Sequence, residues 1–228
     1  MLISFHLPKA AGKSFHQSLV DHFGNKILND YSDYPMNTPR IKRNFKALSD
    51  SIKNRTTDWK DIQCIHGHFL PLKYRHIKHH ESVKYITWMR EPSERIASQY
   101  YYMLRNYTPE VGKSQPLYKR VIEENWTLEK YCLSPEFKNT CAQLLWGFPI
   151  EKFDFIGLVE DYDNDLEYFS NHFLHTKLQG YKKNYNPEAK PNSYFDDPEL
   201  KDRVRKYHSL DIKLYEYAIR LKERRQIK

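Results

Sequence analysis

Three short stretches hold most of the side chains able to do chemistry. Near the N-terminus, Pro8-Lys9-Ala10-Ala11-Gly12-Lys13-Ser14 follows an apolar run and leads into a helical pattern, which gathers two lysines, a hydroxyl and small residues at a helix start. A helix start favours an anion, because its first N–H groups lack intrahelical partners and the helix dipole is positive there. His66-Gly67-His68 closes a second apolar run, and Arg90-Glu91-Pro92 closes a third, with Arg95 and Ser98 shortly after. Glu160 stands at the end of a fourth. Cations can neutralise phosphates, and a histidine with its ordinary pKa of about 6.5 is mostly neutral at pH 7 and free to take a proton.

The ending Gly12-Lys13-Ser14 fits a nucleotide-triphosphate loop, but that pattern needs glycine where Leu7 stands. A P-loop kinase or ATPase also needs a strand-end Asp to hold magnesium, and the later runs end in His, Arg and Glu. A rim of Lys9, Lys13, Arg90 and Arg95 suits a donor with several phosphates and no required metal. A 3′,5′-phosphorylated nucleotide meets that description better than ATP with magnesium.

The elements that must hold these groups read as strands alternating with helices. Strands are expected at 2–6, 62–65, 83–89 and 153–159, and helices at 14–23, 40–55, 93–106, 117–124, 127–133, 136–145, 163–173, 198–207 and 209–225. Residues 30–40, 108–116 and 180–198 read as loops. The fold class is therefore α/β: a P-loop-type, mostly parallel sheet flanked by helices, in one domain over residues 1–228. Ligands of such sheets sit beyond the carboxyl ends of the strands, where the polar groups named above fall.

Hydrophobic residues make up 39% of the 228 and aromatics 15%, enough for one sizeable buried core. Lys and Arg total 37 against 29 Asp and Glu, a net charge of +8 that suits polyanionic partners or a phosphorylated nucleotide. The basic segment 40–55 is expected to be a solvated helix face or an acceptor-facing patch. Cys64, Cys132 and Cys141 lack zinc-site spacing and read as buried free thiols, and His76, His79 and His80 lack the acidic or Cys company of a metal site. With no apolar run long enough to span a membrane and no signal peptide, the protein is expected to be cytoplasmic, without metal and without nucleic acid as partner.

The segment 5–14 resembles the 5′-phosphosulfate loop of carbohydrate sulfotransferases, which take a sulfuryl group from PAPS (3′-phosphoadenosine 5′-phosphosulfate) and release PAP. Residues 89–100, Met-Arg-Glu-Pro-Ser-Glu-Arg-Ile-Ala-Ser-Gln-Tyr, resemble the family's 3′-phosphate segment. His66-Gly67-His68-Phe69 is similar to an element of the uronyl/heparan-sulfate 2-O-sulfotransferase branch. Phe155-Ile156-Gly157-Leu158-Val159-Glu160 looks like a later family strand, and His208, Asp211, Leu214 and Tyr215 match a C-terminal helix. The blocks keep the family's order from residue 3 to 217, with two departures: Lys13 replaces a Thr, and Glu91 replaces an Asp.

The resemblance implies a bacterial-type single domain acting on an acceptor hydroxyl of a glycan or other hydroxyl compound. It implies Lys9 at the leaving oxygen, His68 as base, and His66 as an orienting or substrate-contacting group. Pro8, Lys9, Ala10, Ala11, Gly12, Lys13 and Ser14 would cradle the 5′-phosphate, Arg90 and Ser98 would hold the 3′-phosphate, and Asn192 and Ser193 would close over the nucleotide. Glu160 is expected to be structural. Two other readings stay open on the residues: a P-loop kinase using ATP, and a non-catalytic basic polyanion-binding protein.

Overall fold

The computed structural model describes residues 1–33, 38–77, 82–181 and 193–226. Five parallel strands form one sheet in the order β2-β3-β1-β4-β5: β1 Leu2–Phe5, β2 Ile27–Asp30, β3 Cys64–Gly67, β4 Lys84–Met89 and β5 Phe155–Leu158. β1, β3 and β5 are buried along their whole length. That burial is why none of them alternates between apolar and polar residues; the two polar side chains in β1 and β3, Ser4 and His66, are buried and bonded to each other. β2 was absent from the sequence expectation. It has four residues, lies at the sheet edge and keeps Leu28 and Asn29 exposed, so neither length nor hydrophobicity marks it.

The helices are α1 Gly12–Phe23, α2 Arg40–Asn54, α3 Pro92–Asn106, α4 Pro109–Ser114, α5 Pro116–Glu123, α6 Leu128–Cys132, α7 Thr140–Leu144, α8 Tyr162–Phe169, α9 Pro198–Tyr207 and α10 Ser209–Gln226. α4 corrects the expected loop at 108–116. The Thr108 hydroxyl accepts from Val111 N and Pro109 occupies the first turn, a local start signal that outweighs Gly112. The helix expected at 136–145 is a 3-10 turn, Pro135–Phe137, followed by the short α7.

β1 is central, with β3 on one side and β4 on the other, so the chain leaves it in both directions. The crevice beyond its carboxyl end is the switch point where ligands of open α/β sheets bind. The loop after β1, the end of β3 and the end of β4 all meet there. The core under the sheet includes Ile3, Phe5, Phe15, Leu19, Ile65, Ile86, Phe155 and Phe169. A second cluster of Ile96, Ala97, Met103, Val121, Trp126, Tyr131 and Val204 fixes the inner face of α3. Among the described residues, no helix is long and apolar enough to cross a membrane.

Candidate active site

Pairing between β1 and β3 runs one residue beyond the strands, through His6 N donating to Gly67 O at 2.8 Å. The chain then turns, Ala10 N reaching Leu7 O at 3.2 Å, with Lys9 at φ 67° and Ala11 at φ 54°. Two left-handed non-glycine residues on either side of Ala10 cost roughly 1–3 kcal/mol each and recur where backbone geometry serves a site. Such alternation turns successive N–H groups towards one concave side, an anion nest. Ala11 caps α1 without any side-chain bond, and the N–H groups of Gly12 and Lys13 have no hydrogen-bond partner among the described residues. The nest and the helix start thus present free donors together.

His6 forms the floor of this loop. A Cβ on Gly12 would lie 1.5 Å from His6 Nε2, so glycine is required for the loop to lie on the ring. The His6 ring stacks on His68 at 4.2 Å and on His66 at 5.4 Å between centroids. Gly67 answers a second close approach, since a Cβ there would meet Asp30 O at 1.8 Å and break the β2–β3 pairing.

His68 Nδ1 lies 2.6 Å from the main-chain carbonyl of His6. A carbonyl only accepts, so Nδ1 carries the proton and donates it, which leaves Nε2 with a free lone pair. Burial pushes the His68 pKa down, and the bond to the His6 carbonyl opposes that only in part. His68 is therefore a neutral imidazole at pH 7 with its basic nitrogen fixed in identity. Tyr31 meets its ring at 5.2 Å in an edge contact.

These groups open onto a cavity of about 850 Å³. Pro8, Lys9, Ala11, Gly12, Lys13, Ser14, His68, Arg90 and Ser98, all named from the sequence, line it together with His6, Tyr31, Tyr102, Arg105 and Tyr194, which the sequence did not single out. Lys9, Lys13, Arg90 and Arg105 make no ion pair with any described residue. Their mutual repulsion shows on the most enclosed of them. Burial first, then Arg90, Arg105 and Lys13, hold the Lys9 pKa down to about 8, while its ammonium sits 4.0 Å over the Tyr102 ring. Arg90 lies 5.3 Å over Tyr194. The cavity's carboxylates are largely committed elsewhere: Asp33 pairs with Lys73 at 3.3 Å and accepts from Leu70 N, and Glu136 pairs with Arg120.

α3 contributes one face. Arg95, Ser98, Tyr102 and Arg105 recur at helical spacing and all line the cavity. Glu91 caps this helix through Glu94 N at 2.9 Å, and Pro92 occupies its first turn. The Ser98 side chain is buried, and its hydroxyl has no hydrogen-bond partner among the described residues.

Several expected site residues are placed away from the chemistry. His66 is 1% exposed and does not line the cavity; Ser4 Oγ lies 2.8 Å from its Nδ1, and burial pushes its pKa well down. It supports His6 from behind and cannot touch an acceptor directly. Ala10 is likewise buried beneath the loop. Arg95, expected as a rim cation, does reach the cavity wall, but it is buried and lies 3.8 Å from Asp211. Asp211 also accepts from Cys141 N and Ala142 N, and so caps α7. Glu160 accepts from Glu91 N at 2.7 Å, a structural role. The Ser193 hydroxyl donates to Glu94 at 2.5 Å instead of facing the cavity, and fixes the start of the segment bearing Tyr194. Asn192, His79 and His80 lie outside the described residues. The three cysteines are buried free thiols. No group of three or more His, Cys, Asp or Glu side chains among the described residues could hold a metal ion.

No family model matches this sequence, and no curated protein does. Among solved structures, the chain is similar to a sulfotransferase from Alicyclobacillus acidocaldarius, with a TM-score of 0.48 and 13% identity, over 96% of this chain and 95% of that one.

Proposed function

We propose that the protein is a sulfotransferase that moves a sulfuryl group from PAPS to an acceptor hydroxyl, with a glycan as the acceptor class its His-Gly-His element suggests. The observation that carries this reading is the convergence, on one cavity, of four cations unpaired among the described residues and an uncapped helix start with a neutral, tautomer-fixed histidine. Two separate groups of anion ligands fit a nucleotide phosphorylated at both ends. The nest with Lys9 and Lys13 faces one phosphate, and Arg90 with the unsatisfied Ser98 hydroxyl faces the other.

In the reaction, His68 Nε2 takes the acceptor proton as the acceptor oxygen forms its bond to sulfur. The bond from sulfur to the phosphate oxygen breaks, and the charge left on that oxygen is met by the Lys9 ammonium and the free N–H groups of the loop. PAP leaves. Catalysis comes from positioning and from positive charge already in place, which the unpaired state of the cations makes available without breaking any ion pair. Of the carboxylates at the cavity, Asp33 pairs with Lys73 and Glu136 with Arg120, so neither is free to hold magnesium.

The test uses labelled PAPS with a panel of polysaccharides and simple alcohols, and PAP against Mg-ATP in thermal shift. His68→Ala is expected to lower transfer at least ~100-fold while PAP still stabilises the protein. Stabilisation by Mg-ATP and not by PAP, or full activity of His68→Ala, would overturn the assignment.

A further inference from the structure

Helix α2 is attached to the body by the face one would expect to find in water. Its inward residues are Arg43, Asn44, Ala47 and Ser51, all buried. Polar bonds hold it there: Arg43 reaches Gln143 Oε1 at 3.2 Å, Asn54 reaches Lys73 O at 3.0 Å, and the Trp59 indole reaches Asn54 O at 3.0 Å. The outward residues are Ile41, Phe45, Leu48 and Ile52, exposed by 83%, 71%, 43% and 67%. Steps of four, three and four put them in a single stripe along one side of the helix, about 16 Å long. Single exposed apolar residues are ordinary, but a continuous stripe on an otherwise polar helix marks a surface that something covers.

The stripe is bordered by Arg40, Lys42, Lys53 and Arg55, all exposed and all without an ion pair among the described residues. Asp50 is the only carboxylate on the helix, and it is engaged by Lys46 and Lys73. The border is therefore purely cationic.

We propose that this face of α2 docks on an anionic lipid bilayer. An apolar stripe edged with lysine and arginine lies in the headgroup plane, with its apolar residues entering the acyl boundary and its cations meeting anionic headgroups. A second copy of the chain fits poorly. It would set the same four cations against each other, and the stripe exposes only roughly 500 Å² when a large side chain is taken as about 200 Å², against ~800 Å² per partner in an ordinary stable interface. The helix also borders the candidate active site, because Lys46 lies 3.8 Å from Asp33 in the cavity wall. Docking through α2 would thus hold the cavity beside the membrane surface.

The experiment is sedimentation of the whole protein with sucrose-loaded vesicles of phosphatidylcholine, with and without about one-third phosphatidylglycerol. The anionic vesicles are expected to bind at least ~10-fold more tightly than phosphatidylcholine alone, and less so as salt is raised. The Phe45→Ser/Ile52→Ser variant should lose ~10-fold or more of that binding, with a melting temperature no lower than the parent's. Lys42→Glu/Lys53→Glu should remove the preference for anionic vesicles. Absence of binding to anionic vesicles would overturn the proposal, as would unchanged binding of Phe45→Ser/Ile52→Ser. Light scattering that finds a dimer which the same variant dissociates would assign the face to a second copy instead.

Discussion

Lys9 sets a measurable upper pH limit on the proposed reaction. Burial and the neighbouring Arg90, Arg105 and Lys13 bring its pKa from 10.5 to about 8 in the ligand-free protein. A lysine that must be charged to meet the leaving oxygen then makes kcat/KM fall above that pH, by roughly tenfold at pH 9 relative to its plateau. The limb of kcat should lie higher, because the bound donor's negative charge compensates the three cations and favours the ammonium. Lys9→Arg keeps a charge throughout this range and should abolish the limb, at whatever rate it retains. The same perturbation has a stability consequence with a fixed sign. The folded pKa lies below the unfolded one, so between about 8 and 10.5 the unfolded chain binds more protons and stability rises with pH; below 8 the full penalty is present. Lys9→Met should therefore melt higher than the parent at pH 7 without ligand and gain less from PAP. Initial rates from pH 6 to 10, taken at limiting and at saturating PAPS, give both limbs. A limb near 8 that persists in Lys9→Arg, or its absence in the parent while Lys9→Met is inactive, would refute the role.

Two other substitutions test the scaffold of the site. Gly12→Ala places a methyl 1.5 Å from His6 Nε2, so the loop must lift from its floor, and PAP should cease to raise the melting temperature; unchanged stabilisation by PAP would count against the nest as the binding element. Asp211→Ala removes the partner of buried Arg95 and the acceptor of two α7 N–H groups, and should cost ~3–5 kcal/mol in urea unfolding. A cost below ~1 kcal/mol would mean that this buried pair is dispensable.

The sheet was legible because β1, β3, β4 and β5 are apolar runs that end abruptly in polar residues, and the helices between them carry capping signals. β2 was not, because an edge strand of four residues with two exposed side chains gives neither a run nor an alternation. Within the site, Lys9, Arg90 and His68 could be found because they stand at strand ends or in the turn, where position alone decides direction. His66 could not be told from His68 on that basis. Both flank Gly67, and strict alternation would put both rings on one face; β3 ends at Gly67, so His66 stays buried within the strand while His68, past its end, lines the cavity. Arg95 and Arg105 were exchanged for a related reason. Both line the cavity from α3, but Asp211 on a distant helix makes the first a buried, paired ion, while the second has no ion pair among the described residues. Periodicity from Ser98 through Tyr102 to Arg105 was the signal available for the latter.

Pairing, rather than the number of cations, separates site from scaffold in this protein. A net charge of +8 says little by itself, and several of the most buried cations serve the fold: Lys73 is 2.6 Å from Asp30, Lys222 is 3.2 Å from Asp165, and Arg95 lies against Asp211. Each is held by a carboxylate that offsets its desolvation, as a buried charge requires. Lys9, Lys13, Arg90 and Arg105 have no such carboxylate among the described residues and yet face one another across a partly enclosed cavity. Leaving them so costs stability, and the depressed pKa of Lys9 is the visible sign of that cost. Two left-handed residues in the loop add to it. Strain and repulsion of this kind persist where a ligand relieves them. Under the proposed function, a polyphosphorylated donor with charge at both ends would relieve all four cations and the loop donors at once. A carbohydrate polyanion bound along the outer surface would leave the most perturbed group, Lys9, as it is.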